Sequence, residues 1–280
     1  MESLETIELK ITLSPKEPWD EVITAELSEQ GFESFVNTED GIIAYAPTDV
    51  NYDKAIANSS LKKDANFQFS VEKKIIAHQN WNAKWEENFQ PVFIENFATI
   101  LAPFHDRDIA EGMIIEIQPQ MSFGTGHHQT TWMMTKALFE LESMPDNVLD
   151  MGTGTGVLAI VAEKLGARRV LAIDIEDWSV KNAAENAKRN NMKNIETVCG
   201  DIDLLGNEKF GLIIANINKN ILKSHMEKYS QSLKPGGVLL LSGFFSSDVD
   251  EMLAFTSSFD LKKTKLFMKD EWAAIQLTKN

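Results

Sequence analysis

The residues with the clearest chemical potential form one run, Val148-Leu149-Asp150-Met151-Gly152-Thr153-Gly154-Thr155-Gly156-Val157-Leu158. An apolar strand enters a glycine-rich turn, and a helix leaves it. Bare backbone at the glycines permits a tight turn and lets a ligand approach, while the helix N-terminus offers free N–H groups to a negative group. Such a turn can also exist for steric reasons alone. Two observations point to a ligand. The spacing is G-x-G-x-G, not the G-x-G-x-x-G of dinucleotide binders. Asp174 then ends the next apolar run, twenty-two residues after Gly152, where a carboxylate can accept hydrogen bonds from both ribose hydroxyls.

Together, VLDMGTGTG and the later AIDIE resemble the cofactor motifs of class I S-adenosylmethionine-dependent methyltransferases. The resemblance implies that Gly152, Gly154 and Gly156 face the methionine part of the cofactor and that Asp174 holds its ribose. Asp201, in Cys199-Gly200-Asp201, matches a position that contacts the adenine edge in many relatives; a solvated loop acid is the alternative. Asn216 ends the apolar run Ile213-Ile214-Ala215 and, on this fold, lies over the cofactor pocket. Amine-directed relatives carry Asn or Asp there, often followed by two prolines and an aromatic. Ile217-Asn218 departs from that pattern, so glutamine- and base-methylating enzymes match poorly. Asn216 is read as a catalytic, amine-orienting and cofactor-facing residue, with a helix N-cap before Lys219 as the competing role.

These residues need elements to hold them. From Asn147 onward strands and helices alternate, which implies a parallel sheet with helices on both faces. Strands are expected at 148–151, 170–173, 195–198, 212–216 and 238–242, with helices near 157–165, 178–190, 219–233 and 247–257. A closing hairpin is expected over Lys262–Met268 and Ala273–Leu277. Strands around Phe97–Leu101 and Met113–Ile117 precede the glycine turn. Earlier still, Ile7, Leu9, Ile11 and Leu13 alternate as a strand, and Trp19, Val22, Ile23 and Leu27 recur at helical spacing. A hairpin around 37–41, a helix near Asp53–Leu61 and a strand through Phe67, Phe69 and Val71 complete a β-α-β-β-α-β, ferredoxin-like order. Trp81, Trp85 and Phe89 would line one face of a connecting helix that stops before Pro91, a spacing typical of core packing. The domain reading is 1–78 ferredoxin-like, 79–95 a helical connector, and 96–280 an α/β, Rossmann-like domain.

Composition narrows the function classes. The chain has 280 residues and a formal net charge of −15, which disfavours a surface built for nucleic-acid phosphates and suits a basic macromolecular partner. Residues 1–78 alone carry fifteen acidic and seven basic side chains. Met1 begins an acidic, alternating segment rather than a signal peptide, and no apolar run approaches a membrane span. A single cysteine, Cys199, fits a reducing compartment, so a cytoplasmic protein is expected. One cysteine and five scattered histidines form no structural zinc pattern, and no metal is expected.

The most discriminating segment is Ser122-Phe123-Gly124-Thr125-Gly126-His127-His128-Gln129-Thr130-Thr131. By itself it is a loop that caps a following helix, or a flexible cover over a pocket. With Ala215-Asn216-Ile217 it resembles the PrmA family of ribosomal protein methyltransferases, whose hallmark reads approximately F-G-T-G-x-H-x-T-T. Phe123, His128, Thr130 and Thr131 fall on that pattern, and the likeness extends over Trp81-Asn82-Ala83-Lys84-Trp85, Phe89, Pro91 and Glu271-Trp272. Gln118, Gln120, Ser122 and His127 depart from it. The resemblance implies that residues 1–78 recognise the substrate. It further implies methyl transfer from S-adenosylmethionine to lysine side chains and the N-terminal amine of large-subunit ribosomal protein eleven. Phe123 and Thr131 join the cofactor-binding set, and His128 is the nearby candidate for a catalytic base, with loop ordering as its alternative. Another protein or a small molecule as substrate, or a non-catalytic cofactor-binding module, are the rival readings.

Overall fold

Period-two alternation in β1 (Thr6–Ser14) turns Ile7, Leu9, Ile11 and Leu13 to one side, and all four are buried. They pack on Ile23 and Leu27 of α1 (Trp19–Glu29). The chain continues through β2 (Ser34–Asn37), β3 (Gly41–Pro47), α2 (Tyr52–Asn58) and β4 (Gln68–Ile76). Asn51 caps α2 by accepting from Lys54 N. The strands form one antiparallel sheet in the order β2-β3-β1-β4, the ferredoxin-like arrangement. The computed structural model describes residues 5–62, 68–76 and 81–280, with backbone alone for 81–84. Phe67, residues 79–80 and the side chain of Trp81, all used in the sequence reading, lie outside the described residues.

The chain divides into two compact units, Met1–Asn88 and Phe89–Asn280, so the division falls inside the stretch read as a connector. Helix α3 (Trp81–Asn88) precedes it. Trp85 is 47% exposed. Phe89 instead packs within the second unit, its ring centroid 4.4 Å from that of His127 and 5.9 Å from that of Phe104.

In the second unit a small sheet forms from β5 (Val92–Ile94), β6 (Ala98–Leu101) and β7 (Met113–Glu116), with β6 and β7 parallel. Strand β5 leaves no signature in the sequence, since three residues are too few to show a period. Helix α4 (Gln129–Phe139) follows. Then come β8 (Asn147–Met151), α5 (Val157–Lys164), β9 (Arg169–Asp174), α6 (Asp177–Arg189), β10 (Ile195–Cys199), β11 (Phe210–Asn216), α7 (Lys219–Ser232), β12 (Leu233–Phe245), α8 (Val249–Thr256), β13 (Leu261–Lys269) and β14 (Trp272–Lys279). Seven strands pair in the order β10-β9-β8-β11-β12-β14-β13. The first five are parallel, and β14 and β13 close the sheet antiparallel as the expected hairpin.

The near-continuous apolar strands are explained by burial on both faces. Val148, Val170, Ala172, Leu212 and Ile214 point into one core with α4 and α5. Leu149, Met151, Leu171, Ile173, Ile213 and Ala215 point into the other with α7 and α8. Strand β8 sits near the middle of the sheet, so the glycine turn leaves from a strand paired on both sides. The C-terminal ends of β8, β9, β10 and β11 therefore present Gly152, Asp174, Gly200-Asp201 and Asn216 at one edge of the sheet.

Candidate active site

Strand β8 ends at Met151, and the next two N–H groups, of Gly152 and Thr153, both donate to Ile173 O of β9 at 2.8 and 3.0 Å. The turn is thus tied to the neighbouring strand before it bends. Gly154 has φ +56, and a Cβ there would lie 2.2 Å from Phe123 O. Only glycine lets the Phe123 segment lie against the turn. Thr155 completes that clasp: its N–H donates to Phe123 O at 2.9 Å and its Oγ1 to Gly124 O at 2.6 Å. Gly156 caps α5 and packs on Ala183 of α6.

Asp174 is positioned by backbone. Its Oδ2 accepts from Gly154 N at 2.9 Å and its Oδ1 from Glu176 N at 3.1 Å. Below the turn, Asp150 is almost fully buried; its Oδ2 accepts from Thr153 Oγ1 at 2.7 Å and Ala159 N at 3.2 Å. Burial pushes its carboxyl up to about 7 despite those hydrogen bonds.

A cavity of about 530 Å³ opens over these strand ends, within the size range of small-ligand sites. Of the residues chosen from sequence, Phe123, His128, Gly152, Gly154, Asp174, Asp201 and Asn216 line it. Gly156 and Thr131 are not among its lining residues. Thr130 lines it instead, while Thr131 is buried in α4 with an Oγ1 that has no partner.

Asn216 is the last residue of β11, in register with Ser242 of β12. Its Oδ1 is buried and has no hydrogen-bond partner. The capping role proposed for it belongs to Asn218, whose Oδ1 accepts from Asn220 N at 2.9 Å. Strand β11 stops at Asn216, two residues before the cap. A Cβ at Gly243 would meet Ile217 O at 2.1 Å, so β12 passes close under the β11 exit.

His128 caps α4. Its Nδ1 accepts from Thr130 N at 3.3 Å and lies 2.8 Å from Thr130 Oγ1. With Nδ1 accepting, the neutral ring carries its proton on Nε2. Burial lowers the pKa of His128 below the ordinary histidine value. Its ring meets Phe123 and Trp272 edge-on, at 5.2 and 4.7 Å between centroids.

Trp272, Asp150 and His225 belong to the site although no motif in the sequence assigns them a role there. Trp272 and His225 line the cavity, but contact with it arises only because β14 pairs beside β12 and α7 folds back over the sheet. Asp150 stood within the glycine motif, and an acid inside an otherwise apolar strand was the signal available.

The arrangement suits a nucleoside carrying a zwitterionic tail. Asp174 offers acceptors for vicinal hydroxyls, the clasped turn offers backbone without side chains, and buried, unpaired Ser122 Oγ and Asn216 Oδ1 belong to residues that line the cavity. Buried polar atoms without partners are costly, and a ligand in the cavity could supply partners to these two, whereas Thr131 Oγ1 and Gln276 Oε1, also unpaired, belong to residues outside the lining. Among the described residues, no group of three His, Cys, Asp or Glu side chains is placed to hold a metal ion.

Comparisons with known proteins agree with this geometry. The family model described as ribosomal protein L11 methyltransferase (PrmA) matches residues 10–280. A ribosomal protein L11 methyltransferase of Porphyromonas gingivalis is 42% identical over 263 residues, covering 92% of this chain and 90% of that protein. One from Bacteroides thetaiotaomicron is 38% identical over 268 residues, covering 92% and 93%. The crystal structure of ribosomal protein L11 methylase from Lactobacillus delbrueckii subsp. bulgaricus superposes with a TM-score of 0.63 at 27% identity, covering 69% of this chain and all of that one. With the match running through both units, this chain belongs to the ribosomal protein L11 methyltransferase (PrmA) family, enzymes of the class I α/β fold that use S-adenosylmethionine as methyl donor.

Proposed function

We propose that this protein methylates ribosomal protein L11, at lysine side chains and the N-terminal amine, with Asn216 orienting the accepting nitrogen. The observation that carries the reading is the buried, unpaired Asn216 side-chain oxygen on a residue that lines the cavity beside the glycine turn. Gly152, Gly154, Asp174, Asp201 and Phe123 would hold the cofactor, with Thr131 and Gly156 supporting from behind the lining. When bound, S-adenosylmethionine supplies an electrophilic methyl group on a sulfonium with a neutral thioether as leaving group. A lysine amine is protonated in water, with a pKa of about 10.4, and must be neutral to attack. Phe123, Met151 and Trp272 give the cavity apolar walls, and desolvation against such walls would lower an amine pKa. Asn216, through its amide oxygen, accepts an N–H of the neutral amine and so fixes the direction of its lone pair. His128, already accepting at Nδ1, presents a donor at Nε2; its part is to order the Phe123 segment and the start of α4, and no dedicated base is required.

The first unit would recognise the substrate. Its excess of acidic over basic residues suits a basic ribosomal protein and not a phosphate backbone. Among the described residues, no helix is long and apolar enough to cross a membrane, and a ribosomal substrate fits a cytoplasmic site of action. Tritiated methyl transfer into purified L11, followed by peptide mapping, is the test. Label at lysines and the N-terminal amine is expected. An enzyme that binds S-adenosylhomocysteine but leaves L11 unlabelled would overturn the substrate assignment.

A further inference from the structure

Helix α6 carries Asn182 and Asn186, and Asn190 forms its C-cap; the spacing of four places all three on one face. All three are buried, Asn186 completely. Buried polar side chains need partners, and here they are mostly backbone, with Asn186 Nδ2 also donating to Asn182 Oδ1 at 3.3 Å. Asn190 accepts from Glu116 N at 3.0 Å and donates to Glu116 O at 2.7 Å. Two residues on, Asn186 Oδ1 accepts from Gln118 N at 2.8 Å, and Asn182 Nδ2 donates to Gln118 O at 3.4 Å. Alternate residues of the chain leaving β7 are thus paired as a neighbouring strand would pair them. The helix stands in for a strand through side-chain amides.

Asn186 does one thing more. Its Nδ2 donates to Thr155 O at 3.0 Å, inside the glycine turn. Thr155 in turn holds Phe123 O and Gly124 O. Asn186 therefore bonds to the turn at Thr155 and to the entry of the Phe123 segment at Gln118. We propose that Asn186 is a positioning residue for methyl transfer: it sets the Phe123 segment in register with the glycine turn, and through it the shape of the cofactor cavity. This deepens the proposed function and rests on the cofactor-facing role given there to Phe123.

Asn190 provides the control, since it shares the helix face and bonds to Glu116 but not to Thr155. In the full chain, Asn186→Leu and Asn190→Leu are both expected to lower thermal stability. Only Asn186→Leu is expected to weaken S-adenosylhomocysteine binding, by about tenfold or more in calorimetry, since small misplacements at such sites are costly. It should also speed deuterium uptake across residues 119–128. A folded Asn186→Leu protein with wild-type affinity and exchange, or equal losses in both variants, would overturn the proposal. If Asn186→Leu does not fold, Thr155→Val removes the Gly124 clasp with α6 intact, and the same shifts are expected at smaller size. Unchanged affinity and exchange in Thr155→Val would then overturn it. Failure of the wild-type chain to bind S-adenosylhomocysteine would instead strike the cofactor reading itself.

Discussion

Asn216 and Asn218 stand two residues apart and do different work. Asn218 satisfies an N-terminal amide of α7, so Asn216 is released from capping and keeps an unpaired oxygen. Substituting Asn216 therefore carries no capping penalty. Asn216→Ser is expected to fold normally yet transfer methyl groups at least ~100-fold more slowly, a barrier increase of about 2.7 kcal/mol, because a hydroxyl on a shorter stem misplaces the acceptor. Single-turnover rates at saturating cofactor isolate the chemical step from weakened binding. A near-wild-type rate would move the search for the amine acceptor to the Phe123–Thr131 segment.

At the scale of elements, the site is a junction of the β8 turn, the Phe123 segment and α6. The segment lies against the turn because Gly154 has no side chain and Thr155 holds two carbonyls. A Cβ at Gly154 meets backbone, which cannot swing aside as a flexible side chain would. Gly154→Ala is expected to push the segment off the turn and to cost about 1–3 kcal/mol of stability, the usual range for overpacking. Its affinity for S-adenosylhomocysteine should fall by more than the stability loss alone would produce. Calorimetry paired with denaturant titration measures both, and a destabilised variant with intact affinity would show that the clasp does not shape the cavity.

For the whole molecule, two cores flank the large sheet and are built entirely from the second unit. A fragment spanning Phe89–Asn280 is accordingly expected to fold and bind S-adenosylhomocysteine while losing transfer to intact L11. Transfer at the full-chain rate would remove the recognition role from the first unit. Stability should also depend on pH through Asp150. Unfolded, its carboxyl ionises near the ordinary 3.8; folded, it keeps its proton up to about 7. Between those values the folded state binds more protons, so this group's contribution falls as pH rises through that window and is constant above it. The span is worth on the order of 4 kcal/mol. Urea unfolding of the ligand-free protein near pH 5 and near pH 8 should show that Asp150→Asn loses much less stability on the alkaline side than wild type does. Parallel slopes in the two proteins would show that Asp150 is ionised throughout.

Much of this was legible in the sequence because it is local. Period-two alternation in β1, apolar runs at β8 to β12 and glycines after β8 report burial and turn geometry within a few residues. The glycine turn followed by Asp174 marked the candidate site for the same reason, since each residue sits at the end of its own strand and lines the cavity. What tertiary structure decided was which distant residues meet. Trp272 reaches His128 only because β14 pairs beside β12. Asn186 meets Thr155 across 31 residues and Gln118 across 68, and no helical period announces that a polar face will be buried against backbone. Whether Asn216 or Asn218 caps α7 turned on where β11 stops, which the pairing of β11 with β12 sets. Spacing along the chain determines elements and the ends they present; packing between elements determines which polar groups are satisfied and which are left for a ligand.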